Sequence, residues 1–195
     1  MRFFTDMTAI NFTANLVDSP TIKQRKYGFF WKPIDVSIVE LDSTKLSDVN
    51  ALGKTSKSWE KKGAIYVNHI LYNIIPYLKA GFADIKDHYY ALTTQRDNFE
   101  KLEPENILGL MLFREKNDYK NEICYLEVSP STTKRKNLFR KYKEVGKTLV
   151  EFVKSQFSQK KIEVWSDLDA IDFYKKRGFR RRSRNICNLC WWPKR

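Results

Sequence analysis

The residues best placed to do chemistry lie in the last third of the chain. Lys141, Lys143 and Lys147 surround Val145-Gly146 at the start of an apolar-periodic run. A helix opening there presents unpaired backbone N–H groups and the positive end of its dipole. Gly146 lets a ligand approach that backbone closely. Such an end suits a pyrophosphate, although an ordinary solvated basic helix start carries the same residues. Upstream, a strand ends at Val128-Ser129 before Pro130, and downstream Tyr174 offers a positioned phenol. The chain has no G-x-x-x-x-G-K-[ST] and no G-x-G-x-x-G, so P-loop and Rossmann readings fail.

Charge marks the same region. Residues 134–195 hold 19 Lys/Arg against 6 Asp/Glu, while residues 1–133 hold 17 of each, so the net +13 lies entirely in the last third. That is either a solvated basic face or a field attracting an anion: a nucleotide cofactor, an acidic protein surface or nucleic acid. Cysteine says less. Cys187 and Cys190 match C-x-x-C, but no second ligand pair exists and His69 and His88 are the only histidines. No metal site and no disulfide framework are expected.

The 195 residues fit one domain, and 42% hydrophobic with 14% aromatic content argues against disorder. No apolar run reaches membrane-spanning length, and the start lacks a signal-peptide core, so a cytoplasmic protein without a membrane partner is expected.

The elements that must position these groups read as follows. Residues 1–33 are poorly periodic, with YGFFW at 27–31 as an anchor on the domain. Residues 34–41 alternate as a strand. A helix capped by Asp42 or Ser43 follows, then a second over 64–75 ended by Pro76. Strands are expected at 88–94, 107–114 and 122–128. Val145, Leu149, Phe152, Val153 and Phe157 make one helix face. A strand at 162–165, a short helix at 169–176 stopped by Gly178 and a strand over 185–192 complete the chain. A helix between strands calls for a crossover joining parallel neighbours.

This order, with KYKEVGKTLV at the helix start and AIDFYKKRGF at the last helix, resembles the GNAT family of acetyl-CoA-dependent N-acetyltransferases over residues 107–179. The resemblance implies an α/β (α+β) fold with a mixed, mostly antiparallel central sheet and helices on both faces. It implies an acyl-CoA N-acyltransferase domain over 34–195, with 1–33 packed on it as an extension. It also implies acetyl-CoA as cofactor and a primary amine, on a protein or small molecule, as acceptor. The strand end Glu127-Val128-Ser129 would pair with the pantetheine arm. The phosphate signature falls on Lys141 to Gly146, with Lys141, Lys143, Glu144, Val145, Gly146, Lys147 and Thr148 at the cofactor. Tyr174 falls on the tyrosine that protonates the leaving thiolate. The base would be Glu122 or, second, Glu163, with Glu127 a further strand carboxylate that could simply face solvent.

Two departures stand out. Glu144 occupies the first glycine of the signature, where a carboxylate is unfavourable unless it points away or pairs with a lysine. The 131–143 loop is long and rich in Lys and Arg. Two other readings stay open: a non-catalytic acyl-CoA-binding protein, and a nucleic-acid module using Arg180–Arg184 beside Trp191-Trp192. The last strand could pair within the sheet or across a homodimer.

Overall fold

The computed structural model describes residues 14–26, 30–42, 45–61, 86–117, 120–132, 140–182 and 186–193. Among them, the long apolar runs become the centre of an eight-stranded sheet. β1 (Asn15–Asp18) forms one edge beside β4 (Ser37–Leu41). Then come β5 (Lys86–Thr93), β6 (Ile107–Asn117) and β7 (Lys120–Val128), all antiparallel neighbours. β7 runs parallel to β9 (Lys161–Trp165), and β11 (Asn188–Trp191) and β10 (Arg180–Arg181) finish the sheet antiparallel. The β7–β9 pair is the one parallel junction of the order β1-β4-β5-β6-β7-β9-β11-β10.

That junction follows from the crossover. The helix α2 (Val145–Gln156) lies between β7 and β9 in sequence and packs on β6 and β7. Its Val145, Leu149, Val150, Phe152 and Val153 are buried. They join Met111, Phe113, Ile123, Ile162 and Val164 in one core cluster. The short α3 (Ile171–Lys175) follows a 3₁₀ turn at Leu168–Ala170, and Gly178 closes it at φ 83°. On the other sheet face α1 (Leu46–Glu60) packs Ala51, Leu52 and Trp59 against Val39, Leu41, Tyr89, Leu110 and Leu112. The sheet is therefore mixed, mostly antiparallel, with helices on both faces. The helix expected at 64–75 lies outside the described residues. No described helix is long and apolar enough to cross a membrane.

The amino-terminal segment differs from its sequence reading. Rather than one strand at 34–41 after an irregular start, the chain forms β2 (Thr21–Lys26) and β3 (Phe30–Asp35) before β4. This hairpin pairs with β8 (Tyr142–Lys143) in a second, three-stranded sheet, ordered β3-β2-β8. Ile22 and Tyr142 turn inward to the core beneath α2. The hairpin thus braces the backbone just before α2 begins.

Candidate functional site

The β7–β9 ladder is short. Its rungs run from Lys120↔Lys161 to Ile123↔Val164 and stop there. β7 continues beside β6 to Val128, and among the described residues no strand pairs with its other edge from Cys124 onward. On the β6 side the Ser129 amide donates to the Leu108 carbonyl at 2.8 Å. Strand alternation then directs the backbone N–H and C=O groups of Leu126 and Val128 away from β6, into the opening. Glu127 and Ser129 direct theirs into the ladder.

Two cavities meet along this edge. A cleft of about 510 Å³ is lined by Leu126, Val128, Arg140, Glu144 to Lys147, Phe173, Tyr174 and Arg177. A smaller cavity of about 90 Å³ lies where β7 and β9 diverge, against Cys124, Leu126, Trp165, Ser166 and Tyr174. Leu126 and Tyr174 belong to both.

The α2 end of the cleft is built by close contacts. A Cβ on Gly109 would lie 2.7 Å from Val145 Cγ1 and 3.0 Å from Leu149 Cδ1. Glycine on β6 thus lets the first turn of α2 sit directly on the sheet. A Cβ on Gly146 would lie 3.3 Å from the Phe173 ring, so α3 also closes onto this turn. The Arg177 guanidinium stacks 3.6 Å from the centre of the Phe173 ring. Glu144 precedes the helix in the left-handed conformation, φ 72°, and caps it with no side-chain hydrogen bond. Its carboxylate instead lies 3.3 Å from Lys23 Nζ. The first-turn amides are left facing the cleft, with Lys147 beside them.

Tyr174 is buried, packed edge-on between Phe173 and Phe179 with ring centres at 5.0 and 5.4 Å. Burial, then the nearby Asp167 charge, raises its pKa well above the ordinary phenol value. Like any phenol it is protonated in neutral solution, the state needed in a proton donor, and the upward shift holds that proton more tightly.

Glu122 and Glu163 are cross-strand neighbours, one rung before the ladder stops. Ile123 and Val164 point to the α2 face, so both carboxylates occupy the opposite face. Glu163 is 1% exposed and pairs with Lys120, Lys161 and Arg182. Burial would raise its pKa, but hydrogen bonds from Lys120 and Lys161 outweigh that and hold it below the usual carboxylate value. Among the described residues Glu122 pairs with Lys116. Between these glutamates and Tyr174, Cys124 lines the small cavity, its thiol pushed up to about 12 by burial.

Of the residues singled out in the sequence, the structure brings Val128, Glu144, Val145, Gly146, Lys147 and Tyr174 around one cleft. Glu127, Ser129, Lys141, Lys143 and Thr148 do not line it. The Thr148 amide is bonded to the Glu144 carbonyl, and Lys141 lies over the Tyr142 ring. Sequence reasoning missed Leu126, which shares the backbone direction of Val128 by simple alternation. It also missed Gly109, Arg140, Phe173 and Arg177, whose roles depend on packing between distant segments.

No protein-family model and no curated protein matches the chain. Among solved structures, it is similar to the Bacillus subtilis N-acetyltransferase YlbP in complex with coenzyme A. Identity there is 16%, the match covers 81% of this chain and 97% of that one, and the TM-score is 0.48. It is also similar to the Campylobacter jejuni N-acetyltransferase PseH at 15% identity, covering 80% and 94%, with a TM-score of 0.46. Both are N-acetyltransferases.

Proposed function

We propose that the chain binds acetyl-CoA along the open edge of β7 and transfers the acetyl group to a primary amine by direct attack on the thioester. The observation that carries this reading is the early end of the β7–β9 ladder. Among the described residues it leaves the outward backbone groups of Leu126 and Val128 without a strand partner, in a cleft running from Tyr174 to the start of α2. An extended amide chain with a pyrophosphate at one end fits that arrangement. Its peptide-like arm adds to the strand edge, and its phosphates meet the helix N-terminus.

Each step has a group to perform it. The ammonium of the acceptor gives up a proton toward Glu122, through water if the reach requires it. The amine nitrogen then attacks the thioester carbon, and the Leu126 N–H stabilises the oxyanion. The C–S bond breaks, and the Tyr174 Oη gives its proton to the departing thiolate. The second amine proton passes to solvent as the amide forms. Base and acid thus serve opposite faces of the sheet through the gap between β7 and β9. Glu163 is a poorer base, because three cations hold it ionised. Cys124 is a poor nucleophile in its neutral state, which favours direct transfer over an acyl-thiol intermediate.

Calorimetric titration with acetyl-CoA, followed by thiol release in an amine screen, tests the reading. Tyr174→Phe should keep cofactor affinity within about two-fold and lose about 100-fold or more in kcat. Unchanged turnover would remove Tyr174 as the acid. Binding without turnover against any amine would favour a non-catalytic acyl-CoA-binding protein, and no binding would end the acetyl-CoA reading.

A further inference from the structure

The three-stranded sheet breaks a pairing rule. Lys23 and Lys143 are directly opposed between β2 and β8, a position where like charges destabilise. Arg25 lies two residues along on the same face of β2, opposite Trp31 of β3. The Lys143 ammonium lies 3.7 Å from the centre of the Trp31 ring. The guanidinium carbons of Arg25 and Arg140 lie at 5.3 and 5.8 Å from it. Among the described residues one indole thus gathers three cations, with Lys23 opposite Lys143. Partial desolvation and then Arg140, Arg25 and Lys23 all hold the Lys143 ammonium below its ordinary pKa, with Glu144 opposing. An aromatic ring attracts each cation through its quadrupole but carries no net charge itself.

This face belongs to the site described above, because Arg140 also lines the cleft. β8 immediately precedes the α2 amides. A cofactor with its thioester at Tyr174 and its pyrophosphate at Val145–Lys147 must carry its nucleotide end outward past that turn. Local rules are broken where function compensates. A phosphomonoester, with about two negative charges and three acceptor oxygens, offsets such a cluster far better than a single carboxylate does.

We propose that Lys23, Arg25, Arg140 and Lys143, gathered on Trp31, hold the 3′-phosphate of coenzyme A, which makes the amino-terminal hairpin part of the cofactor site. This rests on the acetyl-CoA reading above. The test compares coenzyme A with 3′-dephospho-coenzyme A by calorimetry for the wild type, Lys143→Gln and Arg140→Gln. The wild type should bind coenzyme A about 10-fold or more tighter, the scale of one or two charge-assisted hydrogen bonds. Each variant should lose most of that preference, and Lys143→Gln, whose residue does not line the cleft, should keep its affinity for the dephospho compound within about two-fold. Equal wild-type affinities, or a preference surviving both substitutions, would overturn the subsite and leave the cofactor reading standing. Failure of both compounds to bind would overturn the cofactor reading with it. A single-stranded oligonucleotide bound tighter than coenzyme A, and lost in the same variants, would assign the cluster to nucleic acid instead.

Discussion

The carboxylate of Glu144 lies 3.3 Å from the Lys23 ammonium, so the negative charge that opens α2 is turned onto the amino-terminal hairpin and away from the helix amides. The pairing answers the electrostatic objection to a carboxylate at this turn. The conformational objection stays, because Glu144 holds a left-handed φ of 72°.

Glu144→Gly should therefore stabilise the fold. A non-glycine residue in that conformation costs about 1–2 kcal/mol, and the partly exposed ion pair that is lost is worth about 0–1 kcal/mol. The net gain of about 1 kcal/mol should raise Tm by about 2–4 °C. On the acetyl-CoA reading, releasing Lys23 from this pair should also tighten cofactor binding about three-fold or more. A fall in both Tm and affinity would show that the Lys23 contact organises the turn.

Gly109→Ala should act in the opposite direction. The added methyl meets Val145 and Leu149 inside van der Waals contact, so the first turn of α2 must lift from β6. Overpacking of this kind costs about 1–3 kcal/mol, and displaced amides should weaken cofactor binding. Urea unfolding and titration together check it; unchanged affinity would mean that the helix start does not position the phosphates.

Glu122→Gln and Glu163→Gln should separate in their effects. The first should lower kcat/KM about 100-fold with stability nearly unchanged. The second should destabilise by about 2–4 kcal/mol, because it leaves three cations around a buried neutral amide. Since the folded Glu163 pKa is depressed, its contribution is present above the ordinary carboxylate pKa and fades as pH falls through the depressed value. The acid limb of the wild-type unfolding curve should shrink in Glu163→Gln. The reverse pattern would make Glu163 the base.

His88 gives the opposite pH dependence. It is buried between two carboxylates, Nδ1 at 2.6 Å from Glu40 and Nε2 at 3.1 Å from Glu115, while Lys160 contacts Glu115 at 3.1 Å. Burial lowers its pKa, but the hydrogen bonds to Glu40 and Glu115 outweigh burial and the Lys86 charge, and the net shift is upward. The stabilisation is full below the unfolded histidine pKa and is lost as pH rises through the folded value. Chemical denaturation between about pH 6 and 9 should show stability declining in the wild type. His88→Gln should be less stable at pH 6 and nearly flat across that range; an equally steep variant would exclude His88.

Much of this was legible in the sequence because the central elements carry strong apolar patterns. β6, β7, α2 and β9 each bury a periodic face, and the stop at Gly178 is a local signal. The hairpin was not legible. Thr21–Lys26 buries only Ile22 fully, and its outer positions are cations, so its strand character comes from pairing with residues 142–143, far away in sequence. Leu126 was overlooked for a related reason. Which strand residues face an open edge depends on register with neighbours, and a single strand does not encode register. The role of Glu163 also depends on register, which sets it opposite Glu122 and diagonal to Lys120, with Arg182 arriving from the end of edge strand β10.

The short β7–β9 ladder has a mechanical consequence. Four rungs join β7 to β9, so the two halves of the eight-stranded sheet share a short hydrogen-bonded seam beneath α2. Any extended molecule lying along β7 restores the backbone partners that the missing rungs would have supplied. Binding there completes the sheet, so occupancy should stiffen the molecule as a whole and departure should loosen it.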